Sequence, residues 1–491
     1  MVLRKTIDEK GGNPLKLEKW NWKKIAGYGL GALLAAISLK TVTRKIIDKT
    51  HDQAARVIME DIYDENLWEL VSAVTRVGPQ NVVETNMRAT QGKAIERPLG
   101  PPKKFPSLDD LMFSIAQFYT MPTPLEAVVD TRVTIGRKAK KPFSINLPIM
   151  VAPMAYGVAL SKEAALALAK GASLAGTAYC SGQGPYLPKV RKACKTYIYQ
   201  YHRGFWDKTP EILADCAAIE IQFGQGALGG VGNKVEYKKM DTELRKAFGV
   251  PRGKDAVNYS RQPSVQHPKD LMKLIEKLKK LSGGAPIGAK MAAGKFLEAD
   301  LDWLCNSGID YIALEGAEAA TKGSPPILQD DFGVPTVFAI TRSVNWLQKN
   351  NFKDKVSLIA AGKIRTPGEV LKACALGADA CYMGAMALFA MTHTQTLNAL
   401  PFEPPTQAVW HNGKFAHRFN ATKGTQALDK FLKACKDELD EAIKALGKTS
   451  LQEVNKEDMF SLSEVIARSC GVPVVYEPFA YDSEQEPPHL P

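Results

Sequence analysis

The chain has 491 residues, of which 45% are hydrophobic and 24% are charged. This composition is typical of a globular protein, and it excludes a disordered chain, a collagen and a multi-span membrane protein. Lys and Arg number 64 and Asp and Glu 52, which gives a net charge of +12. That excess favours an anionic partner without choosing between a cofactor, a membrane surface and nucleic acid. The eight cysteines contain no CxxC pair, so we predict no metal site and expect a reducing, cytoplasmic compartment.

Residues 1–50 form an N-terminal extension whose stretch 25–39 lacks charged residues and is flanked by Trp20, Trp22 and Lys40. As a helix it would be about 22 Å long, which is short of a ~30 Å hydrocarbon core. Two interpretations stay open: a membrane anchor, or a Gly/Ala-rich helix packed on the protein or on a second subunit. Residues 51–144 are predicted to be helical and then extended, with a short helix at 107–119 after a Pro-rich connector.

Eight short apolar runs alternate with helical patterns between residues 145 and 400, which is typical of repeated βα units around a parallel sheet. Eight strands are the number that closes a TIM-type (β/α)8 barrel, whose active site lies at the carboxyl ends of the strands. A doubly wound open sheet is the alternative. Residues 401–491 are predicted to form a helical C-terminal extension. The predicted strands are 147–153, 176–180, 197–202, 218–223, 286–291, 311–316, 356–362 and 380–384.

The last two predicted strands end in glycine, at Gly362 and Gly384. In a barrel, the loops after strands seven and eight bind phosphate with backbone N–H groups and a helix N-terminus. We therefore predict a phosphate site made by Gly362, Lys363 and the backbone of 384–385, although glycines also end strands for no such reason. Lys290, near the end of strand five, would point into the barrel and could stabilise an anionic cofactor or a developing oxyanion, or simply reach solvent.

Residues 224–229 read GQGALG and match the GxGxxG pattern of dinucleotide-binding folds. No apolar-periodic helix and no acidic residue closing a second strand follow, so we favour a glycine-rich loop over the barrel mouth. His393 and His411 lack partners with metal-ligand spacing. No module for nucleic acid is present, so we expect no nucleic-acid partner.

Four stretches resemble the FMN-binding synthase domain of the glutamate synthase family, over roughly residues 145–390. They read PMAYGVALSKEAALALAKGASLAGTAYCSGQGP, IEIQFGQGA, PIGAKMAAGKFLEADLDWLCNSGIDYIALEGAEAATKGSP and LIAAGKIRTPGEVLKACALGADACYMG. The resemblance implies a (β/α)8 barrel that holds FMN. In such a barrel the reduced flavin passes a hydride to 2-iminoglutarate, which forms from 2-oxoglutarate and ammonia. It also implies the following site. Catalytic residues would be Lys290 and Gln183; cofactor-binding residues Ala152, Pro153, Met154, Gly157, Ser181, Gly182, Gln222, Lys290, Gly362, Lys363, Gly384 and Ala385; and substrate-loop residues Gln225, Gly226, Thr321 and Lys322.

The chain also departs from the family pattern, and mainly where substrate would bind. The usual NTGEGG is CSGQGP here, so that Gln183 replaces an acidic residue, and two family lysines are replaced by Gln222 and Leu228. These losses weaken the case for a dicarboxylate such as 2-oxoglutarate, unless Lys322 restores one cation. The stretch just after strand eight, ALFAMTHTQTLNALPFEPP, contains no cysteine, so the family's iron–sulfur cluster cannot form at that place.

These observations predict an FMN-dependent, glutamate synthase-like oxidoreductase that acts on a small-molecule substrate. We expect an external electron-donor protein or a reduced nicotinamide cofactor as electron source, and a homo-oligomer. Two alternatives stay open: a flavoprotein that acts on another amine or imine, and an FMN-carrying electron-transfer subunit of a membrane-associated complex.

Overall fold

The structure is a computed structural model that describes residues 22–66 and 68–479. Trp20, which flanks the apolar stretch of the N-terminal extension, lies outside these residues. The chain divides into two compact units, Met1–Lys93 and Ala94–Pro491.

The second unit contains a closed barrel of eight parallel strands, which confirms the predicted (β/α)8 class. The strands follow one another round the ring in chain order, and the last pairs with the first. Each falls within or beside a predicted apolar run. The strands are β1 (Ile149–Val151), β2 (Ala178–Cys180), β3 (Thr196–Tyr201), β4 (Ala218–Gln222), β5 (Ile287–Ala292), β6 (Tyr311–Glu315), β7 (Ser357–Ala361) and β8 (Ala380–Met383).

Both units contain helices. In the first unit they are α1 (Trp22–Glu60), α2 (Trp68–Val77) and α3 (Pro79–Gln91). In the second unit they are α4 (Lys162–Leu174), α5 (Pro188–Ala193), α6 (Pro210–Ala214), α7 (Thr242–Phe248), α8 (Pro268–Leu281), α9 (Leu297–Asn306), α10 (Pro326–Asp330), α11 (Thr336–Lys349), α12 (Pro367–Ala375), α13 (Ala385–His393), α14 (Ala421–Ala445) and α15 (Glu464–Cys470).

Local sequence signals explain where several helices begin. Ser161 caps α4 by accepting a hydrogen bond from the N–H of Ala164, and Thr366 and Glu369 form a reciprocal capping box at α12. The C-terminal extension packs through α14 against α4. A side chain at Gly171 would lie 2.8 Å from a methyl carbon of Leu428, so a glycine allows this close approach.

Among residues 22–66 and 68–479, three short antiparallel strand pairs lie outside the barrel. They are Leu111–Phe113 with Met459–Ser461, Val133–Ile135 with Phe143–Ile145, and Asn233–Val235 with Ala256–Asn258. The first pair shows that the helix predicted at 107–119 was wrong. Only a 3₁₀ turn, Leu108–Asp110, forms there, capped by Ser107, and the chain then enters the strand. Pairing with a segment some 350 residues away overrides the local helical pattern.

The stretch 25–39 belongs to α1. Within residues 22–66 and 68–479, no helix has the length and apolar character needed to cross a membrane. The membrane anchor that the sequence suggested therefore gains no support.

Candidate active site

A cavity of about 290 Å³ opens at the carboxyl ends of the barrel strands. Its wall includes the residues that follow β1, β2, β4, β6, β7 and β8, so it occupies the place where (β/α)8 enzymes bind their ligands. Twelve of the residues predicted from the sequence line it. They are Ala152, Pro153, Met154, Gln183, Gln225, Lys290, Thr321, Lys322, Gly362, Lys363, Gly384 and Ala385.

A cluster of buried charges lies inside the barrel below this cavity. Lys290 of β5 is 2% exposed and forms an ion pair with Glu315 at the end of β6. Glu220 of β4 is fully buried, and it accepts hydrogen bonds from the Gln200 amide at 2.9 Å and the Tyr382 hydroxyl at 2.8 Å. The Nζ of Lys290 also lies 5.7 Å from the centroid of the Tyr382 ring. These contacts join five strands around one ammonium group.

The two carboxylates keep Lys290 charged. Burial acts to lower the pKa of the ammonium, but the attraction of Glu315 and Glu220 outweighs it, and the pKa is raised above 10.5. Burial raises the pKa of Glu220, although Lys290 and the hydrogen bonds from Gln200 and Tyr382 oppose the rise. The cluster therefore holds a protonated ammonium, paired with Glu315, at the barrel end of the cavity.

Neutral amides form the neighbouring wall. The side-chain oxygen of Gln183 accepts hydrogen bonds from Gln222 at 2.9 Å and from Asn258 at 2.7 Å. Gln222 also donates to the side chain of Gln225 at 3.1 Å. The amide oxygen of Gln183 is thus held by two donors, which fixes the orientation of its side chain. This arrangement is polar without adding charge to the cavity.

The glycine-rich loop 224–229 follows β4 and contacts the end of β6 and the loop after it. The N–H of Gly226 donates to Glu315 at 2.6 Å, and the hydroxyl of Thr321 donates to the Gly226 carbonyl at 2.8 Å. A side chain at Gly226 would come within 2.2 Å of Ala319. Glu315 therefore contacts both Lys290 and the loop 224–229. The loop after β6 also bonds to loop 224–229, through Thr321.

The ends of β7 and β8 have the backbone geometry of an anion site. Gly362 and Lys363 both have positive φ angles, 127° and 54°, and Gly384 directly precedes α13. The first N–H groups of a helix have no acceptor within the helix. A Cβ at Gly384 would stand 3.5 Å from that of Ala152, across the gap between the ends of β8 and β1. Glycine keeps this gap open.

Five predicted residues lie behind the cavity wall and do not line it. Gln222 and Gly226 act through the contacts above. Ser181 accepts a hydrogen bond from the N–H of Gln200. Gly182 and Gly157 permit close packing, because a Cβ would lie 2.8 Å from the nitrogen of Ala155 in one case and 2.2 Å from Leu244 in the other.

The sequence interpretation missed several residues of the site. Glu220 could have been found, because it alternates with Ile219 and Ile221 in β4 just as Lys290 alternates in β5. Glu315 is the last residue of β6, and Tyr382 lies within β8. Neither strand shows an alternation that would have marked these residues as facing into the barrel. Trp410, which also lines the cavity, comes from the C-terminal extension, far from any barrel strand.

Taken together, the fold and this cavity define a (β/α)8 barrel protein with a charged ligand site at the strand carboxyl ends. The family model described as a conserved region in glutamate synthase matches residues 109–449. The chain is 30% identical to a glutamate synthase large subunit-like protein of Rhizobium meliloti, over 80% of this chain and 93% of that protein. It is 27% identical to an archaeal-type glutamate synthase [NADPH] of Thermotoga neapolitana, over 77% and 78%. The protein therefore belongs to the glutamate synthase family of oxidoreductases.

Two solved structures are also similar. A mutant flavocytochrome b2 with pyruvate bound has 18% identity and a TM-score of 0.47, covering 77% of this chain and 84% of that chain. A mandelate oxidase variant has 19% identity and a TM-score of 0.44, covering 71% and 88%.

Proposed function

We propose that the protein is an FMN-dependent enzyme that reductively aminates a 2-oxo acid with ammonia, the class of reaction by which 2-oxoglutarate gives glutamate. The observation that carries the proposal is the buried Lys290, held protonated by Glu315 and Glu220 at the barrel end of the cavity. Membership of the glutamate synthase family supports it further.

The residues present fit FMN. Its phosphate would be held by the backbone at Gly362, Lys363, Gly384 and Ala385, where glycine keeps the gap to β1 open and a helix begins. The loop residues Ala152–Met154 would form a wall beside the ring. A flavin has a dianionic phosphate and becomes anionic on reduction, and both charges match the basic groups of this cavity.

When bound, FMN would supply the hydride that reduces an imine formed from the 2-oxo acid and ammonia. Lys290 would provide a positive charge that favours electron density on the neighbouring ring. Glu315 and Glu220 position that ammonium and keep it charged. The loop 224–229, tied to Glu315, limits the access of water to the site.

We propose a reduced nicotinamide, NADPH, as the electron source. The name of the Thermotoga neapolitana relative, archaeal-type glutamate synthase [NADPH], includes this cofactor. An electron-donor protein is the alternative, and anaerobic reduction of the enzyme by NADPH alone separates the two.

The experiment that tests the function starts from the purified protein as isolated. We expect a yellow protein that releases FMN on denaturation. After anaerobic reduction, mixing with ammonium and a 2-oxo acid should reoxidise the flavin and yield the corresponding amino acid. The panel should include 2-oxoglutarate and 2-oxo acids with one carboxylate.

Three results would contradict the proposal. A protein that stays colourless after incubation with FMN would exclude the cofactor. Reduced enzyme that no 2-oxo acid reoxidises would exclude reductive amination. Reoxidation only by a quinone or a membrane extract would favour electron transfer to a partner instead. Lys290→Met should slow flavin reoxidation far more than it weakens FMN retention, whereas Lys433→Met on the exposed face of α14 should change neither.

A further inference from the structure

Four basic side chains line the cavity, and they differ in how their charge is compensated. Lys290 pairs with Glu315, and Arg365 pairs with Asp109 and Glu369. Lys363 follows Gly362 in the loop that we assign to the phosphate. Burial raises the pKa of the nearby Glu318, and the charge of Lys363 opposes that rise, so these two groups interact.

Lys322 is the fourth, and it has no carboxylate within ion-pair distance among residues 22–66 and 68–479. It is half-buried, its Nζ donates to the Val158 carbonyl at 3.1 Å, and it lies 4.9 Å from the centroid of the Trp410 ring. An ammonium has three N–H donors, so two remain after the bond to Val158. Burial lowers the pKa of Lys322, and Lys239 adds to this effect while Glu96 opposes it.

The charged groups near Lys322, Glu96 and Lys239, act on its pKa in opposite directions, and its neighbours in the cavity wall are uncharged. Gln225 and Thr321 offer uncharged polar groups, and Val158, Ala159 and Trp410 supply an apolar wall. A partly desolvated ammonium without an acidic partner gains from binding one anion. A second anionic group of the substrate would need a second cation. Lys290 and Arg365 are already paired with carboxylates, and Lys363 lies in the loop that we assign to the phosphate, so the loss of hydration of that group would not be offset.

We propose that Lys322 binds the single carboxylate of the substrate, so that the cavity selects 2-oxo acids with one carboxylate and a small apolar side chain over dicarboxylates. This inference rests on the proposed function and names its substrate class. Trp410 and the Val158 carbonyl hold the ammonium in place, while the apolar wall meets the rest of the substrate. Discrimination arises because a dicarboxylate would bury an unpaired charge.

The test is calorimetric titration of the purified protein with pyruvate and with 2-oxoglutarate, which measures binding without turnover. We expect pyruvate to bind at least about tenfold more tightly than 2-oxoglutarate. Lys322→Met should weaken pyruvate binding by about tenfold or more, since a hydrogen bond to a charged group is lost, and Lys322→Arg should restore most of it. Lys295→Met is the matched control, because Lys295 also lies over an aromatic ring, Phe296 at 5.6 Å, but outside the cavity.

Unchanged pyruvate binding in a folded Lys322→Met variant would overturn the proposal, as would 2-oxoglutarate binding as tightly as pyruvate or more tightly. Retained FMN absorbance and an unchanged circular dichroism spectrum show that the variant is folded. If binding depends on Lys322 but no 2-oxo acid is turned over, the reductive amination fails and the carboxylate site stands.

Discussion

At the scale of single residues, the site depends on charges buried where water cannot compensate them. Lys290 and Glu315 are 2% and 8% exposed, and Glu220 is fully buried. Burying a charge is costly unless it is paired and hydrogen-bonded, and here each carboxylate has at least one hydrogen-bond donor besides the ammonium. A chain that needed only a stable barrel could fill these positions with apolar side chains. The cluster is therefore better explained by ligand chemistry than by stability.

The same residues give a stability prediction. Lys290→Met should lower the free energy of unfolding by about 3–5 kcal/mol, because it leaves Glu315 and Glu220 buried without their cation. The double variant Lys290→Met/Glu315→Gln should recover at least about 1 kcal/mol of the lost free energy of unfolding, because it removes one unpaired buried charge. Chemical denaturation of the single and double variants measures both. Equal stability of Lys290→Met and the parent protein would show that the ion pair is not formed. Lys433→Met, which breaks a surface pair on α14, should cost less than about 0.5 kcal/mol.

His202 gives a second prediction at this scale, for pH. It is fully buried and stacked on Trp206 at 4.4 Å, and burial holds its pKa well below 6.5. Below pH 6.5 the unfolded chain binds a proton that the folded protein excludes, so the stability present above pH 6.5 is lost as the pH falls. The slope for one proton is about 1.4 kcal/mol per pH unit.

His202→Phe should therefore flatten the decline in unfolding free energy between pH 6.5 and 5. His417→Phe, at an exposed histidine, serves as the control and should leave the decline unchanged. An equally steep decline in His202→Phe, measured by denaturation at each pH, would mean that other groups cause it.

At the scale of elements, strands were predictable where burial on both faces leaves an apolar run. All eight barrel strands fall within or beside such runs, and Ser161 and Thr366 marked two helix starts. The segment 107–119 failed because its partner strand, Met459–Ser461, is remote in sequence. Local patterns report local preferences, and they cannot report a pairing with a segment some 350 residues away in the sequence.

The loops after β7 and β8 give a prediction that separates folding from binding. Gly384 has an ordinary φ of −105°, and a Cβ there makes only a 3.5 Å contact with Ala152. Gly384→Ala should therefore leave the stability of the FMN-free protein unchanged but weaken FMN binding by about tenfold or more, a loss of about 1.4 kcal/mol.

Gly362→Ala is the contrasting variant. Gly362 has a φ of 127°, and a Cβ there would lie 2.3 Å from the hydroxyl of Thr336. We expect it to destabilise the protein by about 1–3 kcal/mol. Fluorescence titration with FMN and thermal denaturation without it measure the two effects. If both variants lowered stability equally, the gap at Gly384 would have no special role in binding.

At the scale of the whole molecule, the sequence predicted the barrel and twelve residues of the cavity wall, but not the charged cluster inside the barrel. The sequence predicted that Lys290 faces into the barrel. It did not predict the two carboxylates around Lys290, which come from β4 and β6 on either side of β5. Trp410 reaches the cavity from the C-terminal extension. Such convergence depends on the order of strands round the ring and on the path of the chain after β8, and neither is encoded in any one segment.

Binding of FMN at the proposed site would also stabilise the barrel, because the residues proposed to hold it follow β1, β7 and β8, and β8 pairs with β1. A ligand that binds only the folded state adds about 2.7 kcal/mol at a hundredfold excess over its Kd. We therefore expect FMN to raise the melting temperature of the flavin-free protein in a concentration-dependent manner. Riboflavin, which lacks the phosphate, should raise it much less, because the backbone at Gly362 and Gly384 would have no anion to bind. Equal stabilisation by the two compounds would place the phosphate elsewhere, and differential scanning fluorimetry decides between these outcomes.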